Sequence, residues 1–101
     1  MLIRKRDGTM QVFSAEKVRK GLVRALDSGS VSAEAINSAV AEIEATVTSM
    51  GSGVTSDDVG QLVLAYLRQA DEAAYLRFAS VYKDFRDARD FEREAAALDR
   101  G

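Results

Sequence analysis

Arg4, Lys5 and Arg6 stand directly before an Asp7-Gly8 dipeptide, and Lys17 falls one turn into the helix that follows. Phosphate oxygens are well served by cationic side chains together with the free N–H groups of a helix start. A short hairpin with cations at its tip, running into such a helix, therefore has the makings of a polyanion receptor. A cation in the first helical turn opposes the macrodipole by roughly a few tenths of a kcal/mol. A bound anion would reverse that penalty, and a polyphosphate would relieve the repulsion within Arg4-Lys5-Arg6. A solvated charged surface explains the same residues, and nothing in their spacing names the anion.

Other chemistries find little support. No G-x-x-x-x-G-K-[ST] loop occurs, and no glycine-rich dinucleotide fingerprint follows a strand. Acidic residues gather at 42–44, 57–58 and 71–72, where they suit solvated faces and helix starts better than a metal or acid/base site. Cysteine and histidine are both absent, which removes a thiol nucleophile, a cysteine zinc site, the usual general base and the commonest neutral metal ligand. The expectation is a protein without catalytic residues. The apolar runs are too short to span a bilayer and no signal-peptide pattern opens the chain, so a cytoplasmic protein with no membrane partner is expected.

The net charge of −2 conceals an asymmetry: residues 1–24 carry +5, and the remainder carries −7. A basic end on an acidic body favours a local anion site over general nucleic-acid binding. With 101 residues, 47% of them apolar, the chain suits one folded domain.

The elements that position these cations are readable. Residues 2–6 and 9–13 form strands around Asp7-Gly8, a preferred type I′ dipeptide, which sets Ile3 opposite Val12 and Lys5 opposite Met10. An isolated hairpin is only marginally stable, so this one should lie on the helices or close over a ligand. Phe13-Ser14, Val31-Ser32 and Val54-Thr55 each read as an N-cap hydroxyl flanked by a hydrophobic staple. Helices follow over about 15–27, 33–50 and 56–69, with apolar residues at helical spacing. Asp71 caps a fourth, which aligns Tyr75, Phe78, Ala79, Tyr82 and Phe85 as a core stripe. Residues 87–99 form a charged fifth helix that uses Phe91, Ala95 and Leu98 to dock on the core or on a second subunit.

Two stretches carry a family resemblance. Ile3-x-Lys5-Arg6-Asp7-Gly8 followed by Phe13-Ser14-x-x-Lys17 resembles the opening of an ATP-cone, the nucleotide-sensing domain of ribonucleotide reductases and of their bacterial repressor. Ser56-x-Asp58-Val59-Gly60, and above all AYLRFASVYK-x-F over 74–85, is similar to the repressor family (NrdR) more than to the enzyme's own cone. The resemblance implies a mainly α fold with a small β component. An N-terminal β-hairpin lid would cover a four-helix bundle over residues 1–95, followed by a tail at 96–101.

ATP or dATP, with or without Mg2+, would lie between lid and bundle. Lys5, Arg6 and Lys17 match family positions that contact the phosphates, in a motif that Ile3 opens. Gln11 and Ser14 match positions near the adenine and its lid, where the family often has Glu and Asn or Asp. Ser56 and Gly60 match the helix start that faces the nucleotide, and Tyr82 and Lys83 match positions near the pocket.

The implied function is allosteric: nucleotide bound without hydrolysis selects among homo-oligomers of a repressor of ribonucleotide reductase genes. The repressors also carry a four-cysteine zinc ribbon that binds DNA. These residues contain no cysteine, so they bind no zinc and reach DNA only through a ribbon that they lack. The chain is then either a cone excised from a longer repressor or a natural protein without the ribbon. Two other readings stand beside this one. One is the regulatory cone of a reductase large subunit, and the other is a helical module whose basic edge meets an acidic partner or nucleic acid.

Overall fold

The computed structural model describes residues 1–27, 29, 31–83 and 88–100. Along them run β1 (Leu2–Arg4), β2 (Met10–Val12), α1 (Ala15–Ala25), α2 (Ala33–Met50), α3 (Ser56–Ala70), α4 (Glu72–Tyr82) and α5 (Ala88–Arg100). Consecutive helices pack on one another and α4 returns to α1, closing a four-helix bundle with α5 laid on α4. The fold is the expected one, mainly α with an N-terminal hairpin.

Each bundle helix starts where its cap residue dictates. Ser14 Oγ accepts from Lys17 N–H at 3.2 Å, and Ser32 Oγ accepts from Ala35 N–H at 3.1 Å. At α3 the exchange is reciprocal: Asp58 N–H donates to Thr55 Oγ1 at 3.1 Å and Thr55 N–H to Asp58 Oδ2 at 2.9 Å. Asp71 Oδ1 accepts from Ala73 and Ala74 N–H. Such a cap contributes about 1 kcal/mol, and the apolar stripes behind the caps build the core. Leu22 of α1, Val47 of α2 and Leu67 of α3 are fully buried at its centre, joined by Ile36, Ile43 and Val63. Residue Tyr75 of the expected aromatic stripe is buried, Phe78 and Tyr82 are half-buried, and Phe85 lies outside the described residues. Leu98 of α5 packs against the core, and the Phe91 side chain is partly exposed.

The hairpin departs from expectation by one residue. Leu2 pairs with Val12, Ile3 with Gln11 and Arg4 with Met10, not Ile3 with Val12. Its strands are also shorter than expected. The loop explains the slip. Gly8 N–H donates to Lys5 C=O at 2.9 Å and Lys5 N–H to Thr9 C=O at 2.8 Å, so the turn centres on Arg6-Asp7 and Gly8 follows it at φ +88°. That is a three-residue loop, a turn closed by a left-handed glycine, in place of a two-residue type I′ turn. Asp7 holds it by accepting from Thr9 N–H and Thr9 Oγ1 at 2.9 and 2.6 Å. Because strand side chains alternate, the slip decides which residues face the bundle. Ile3 enters the core beside half-buried Gln11, while Leu2, Met10 and Val12 face outward.

The hairpin is pinned to α3. Arg4 N–H donates to Val54 C=O at 2.9 Å, and Arg4 bridges in parallel with Thr55, the N-cap of α3. This bond sets the loop residue Arg6 over the α3 N-terminus.

Candidate functional site

A cleft of about 380 Å³ opens between the hairpin loop, α1, the start of α3 and the end of α4. Its wall is formed by Arg6 from the loop, Lys17, Val18 and Gly21 from α1, Ser56, Asp57, Val59, Gly60 and Val63 from α3, and Phe78 and Tyr82 from α4. Lys17, Val18 and Gly21 share one face of α1 because helical residues three and four apart are neighbours. The same rule aligns Val59 with Val63, and Phe78 with Tyr82.

Three side chains knit the elements around the cleft. Arg6 Nε–H donates to Asp57 Oδ1 at 2.9 Å, and its Nη2 donates to Tyr82 C=O at 3.4 Å. The guanidinium lies 5.1 Å from the centroid of the Tyr82 ring, a cation–π distance. The Tyr82 hydroxyl donates to Asp57, to its C=O and its Oδ1 alike, at 3.1 Å. Hydrogen bonds from Arg6 and then Tyr82 hold the Asp57 carboxyl below the usual aspartate range. Partial burial first, and the Asp57 carboxylate second, push the Tyr82 phenol above its ordinary value. The Tyr82 ring stacks with Phe78 at 6.0 Å and lies so close to Gly60 that no side chain fits between them. Glycine is required there for close packing, not for an unusual backbone angle.

Of the residues singled out from sequence, the fold brings Arg6, Lys17, Ser56, Gly60 and Tyr82 together around this cleft. Lys17 is exposed and makes no ion pair among the described residues. The capping bonds at α3 use the N–H of Asp58, so those of Ser56 and Asp57 stay outside them. The other singled-out residues lie elsewhere. Ile3 is in the core, Gln11 is its cross-strand neighbour, and Ser14 caps α1. Lys5 closes the hairpin loop through its backbone. Lys83 reaches away to α5, where its Nζ meets Glu94 Oε1 at 2.6 Å.

Sequence reasoning missed Asp57 and Phe78 as cleft residues. Asp57 looked like its neighbour, one more carboxylate at a helix start, and Phe78 like one more core aromatic. The available signal was the capping box, which uses Asp58 alone and leaves Asp57 to face something else. Among the described residues no cluster of three or more acidic, histidine or cysteine side chains could hold a metal ion. No described helix is long and apolar enough to cross a membrane.

A helical bundle lidded by a hairpin, with cations and a helix N-terminus converging on one cleft, has the architecture of a small ligand-sensing domain. The family model of the ATP cone domain matches residues 1–88, and the chain belongs to that family. It is similar to the transcriptional repressor NrdR of Corynebacterium efficiens, 45% identical over 101 residues that cover 99% of this chain and 65% of the relative. It is likewise similar to the NrdR proteins of Corynebacterium glutamicum, 46% identical with 67% of the relative covered, and of Mycobacteroides abscessus, 47% identical with 62% covered. The chain thus spans about two thirds of the length of these curated relatives, and its likeness runs to the repressors.

Proposed function

We propose that this domain binds ATP or dATP, with or without Mg2+, as an allosteric ligand and is the nucleotide-sensing part of a repressor of ribonucleotide reductase genes. The observation that carries this reading is the convergence of Arg6, Lys17 and the α3 N-terminus on one cleft. Two cations and an exposed helix start provide both the charge and the N–H donors that phosphate oxygens need. At about 380 Å³ the cleft is within the range of small-ligand sites, about 300–1,000 Å³. Gly60 lets the Tyr82 ring lie flush on α3, and Phe78 and Tyr82 offer aromatic surface suited to a base. Lys5, Gln11 and Ser14 lie outside the cleft lining and would join the site through movement of the hairpin, whereas Lys83 would first have to leave Glu94.

The proposed role is sensing, not hydrolysis, and its support is that the relatives are named as repressors. For ATP and dATP to direct different homo-oligomers they must differ in affinity for the alternative assemblies, since equal affinity shifts nothing. A missing 2′-hydroxyl supplies such a difference by leaving a polar partner unpaired. DNA recognition is assigned to residues outside these 101, and the setting is cytoplasmic. The relatives, all named as repressors, favour this reading over a reductase cone. Calorimetric titration with ATP, dATP and GTP, with the oligomer mass measured in parallel, tests it. Adenine nucleotides should bind and change the mass, and failure of both to bind would end the proposal.

A further inference from the structure

Asp57 is the one acidic side chain lining the cationic cleft among the described residues. It stands where a phosphate-binding site should least want a negative charge. Helix capping does not explain it, because Asp58 completes the box with Thr55. Asp57 instead accepts from Arg6 of the hairpin loop and from the Tyr82 hydroxyl at the end of α4. These are the groups that a phosphate would draw upon: a guanidinium and a neutral hydroxyl donor held at one cleft.

Resting on the nucleotide reading above, we infer that Asp57 is the residue that sets the affinity of this cleft. Its carboxylate is a built-in stand-in for a phosphate, which an incoming polyphosphate must displace from Arg6 and Tyr82. The exchange is feasible because the side chains of Arg6 and Asp57 are 62% and 55% exposed, and ion pairs at such exposure hold weakly. In the displaced state the carboxylate remains beside the ligand and repels it. Asp57 therefore keeps the hairpin loop pinned to α3 and α4 while no nucleotide is bound. It also raises the nucleotide concentration at which the lid is taken over. The hydrogen bonds that hold Asp57 ionised are consistent with this role.

The test is calorimetric, with the full 101-residue chain and two probes, ATP and inorganic tripolyphosphate. Asp57→Asn should bind both more tightly, by roughly three- to tenfold, because it removes an exposed ion pair and one nearby repulsive charge. Asp57→Ser, which also suits a helix start, should give the same gain and guards against an effect confined to the helix end. Glu34→Gln makes the same change in net charge at an exposed position of α2 and should leave both affinities within about twofold, since distant surface charges are screened. In an Arg6→Ala background, Asp57→Asn should gain less than it does with Arg6 present. If wild type binds ATP and Asp57→Asn binds it equally or more weakly, this inference fails while the nucleotide site stands. If neither wild type nor variant binds ATP, the nucleotide reading itself fails and this inference falls with it.

Discussion

The Tyr82 ring lies directly on Gly60 of α3: a Cβ at position 60 would come within 2.8 Å of the phenolic oxygen and closer still to the ring carbons. Gly60→Ala must therefore move the ring, since the backbone is held in the middle of a helix. Helix propensity favours the alanine by roughly 1 kcal/mol. Overpacking costs about 1–3 kcal/mol, to which the loss of the hydroxyl bonds to Asp57 adds. The expected balance is a destabilisation of about 1 kcal/mol, seen as a fall of several degrees in Tm, with altered tyrosine ring signals in NMR. A rise in Tm would show that Tyr82 does not rest on α3.

Lys17→Ala should weaken ATP and dATP together, by roughly ten- to a hundredfold if the ammonium makes a charge-assisted bond to phosphate. The fold should be untouched, because Lys17 is exposed and opposes the α1 macrodipole where it stands. Titration calorimetry and a thermal melt of the same variant check both halves. Unchanged affinity would move the phosphates away from α1.

Glu94 governs how α5 is held. It accepts from Tyr75 Oη at 3.0 Å and pairs with Lys83 Nζ at 2.6 Å. Burial pushes its carboxyl up, yet the bonds from Lys83 and Tyr75 and the nearby positive charges outweigh that and leave it below the ordinary value of 4.5. A lowered native value means stability that is fully present above the unfolded value and lost as pH falls through the native one. The protection of α5 amides, taken relative to intrinsic exchange rates at each pH, should therefore fall as the pH drops below about 4.5, while the bundle holds longer. At pH 7, Glu94→Gln should cost about 1–2 kcal/mol and flatten that acid-dependent step. An α5 protected equally at both pH values would rule out this tether.

Gly8→Ala tests the loop that corrected the hairpin register. Nothing lies within 4 Å of a Cβ at Gly8, so the cost is conformational alone. A left-handed alanine costs roughly 1–2 kcal/mol, which should lower Tm and loosen the amides of β1 and β2 first. A neutral outcome would mean that the loop is free to adopt another turn.

What could be read from the chain, and what could not, divides along the range of the interactions. The helix starts at Ser14, Ser32, Thr55 and Asp71 were legible because a cap is decided by a side chain and an N–H two or three residues away. The hairpin was legible as a hairpin but not in register. Asp7-Gly8 serves a two-residue and a three-residue loop alike, and the choice lay with the Asp7 bonds to Thr9 and the Arg4 bond to Val54. At the site, Arg6 and Lys17 were legible as cations near a turn and a helix start. That Lys83 turns to Glu94, and Arg6 to Asp57, was not.

Sequence by itself determined the parts: a basic hairpin, capped amphipathic helices, a composition without cysteine or histidine, and a motif set that carries the ATP-cone family. Each depends on residue type or on neighbours within one or two turns, and such physics is written in order along the chain. Only the tertiary structure decided that residues 6, 57 and 82 meet, because they belong to three elements brought together by packing and by the Arg4 bond to Val54. Their meeting turns a run of cations into a cleft whose principal arginine is already held by a carboxylate. Ion pairs across elements depend on distances of a few ångströms in three dimensions, and spacing along the chain carries no record of them.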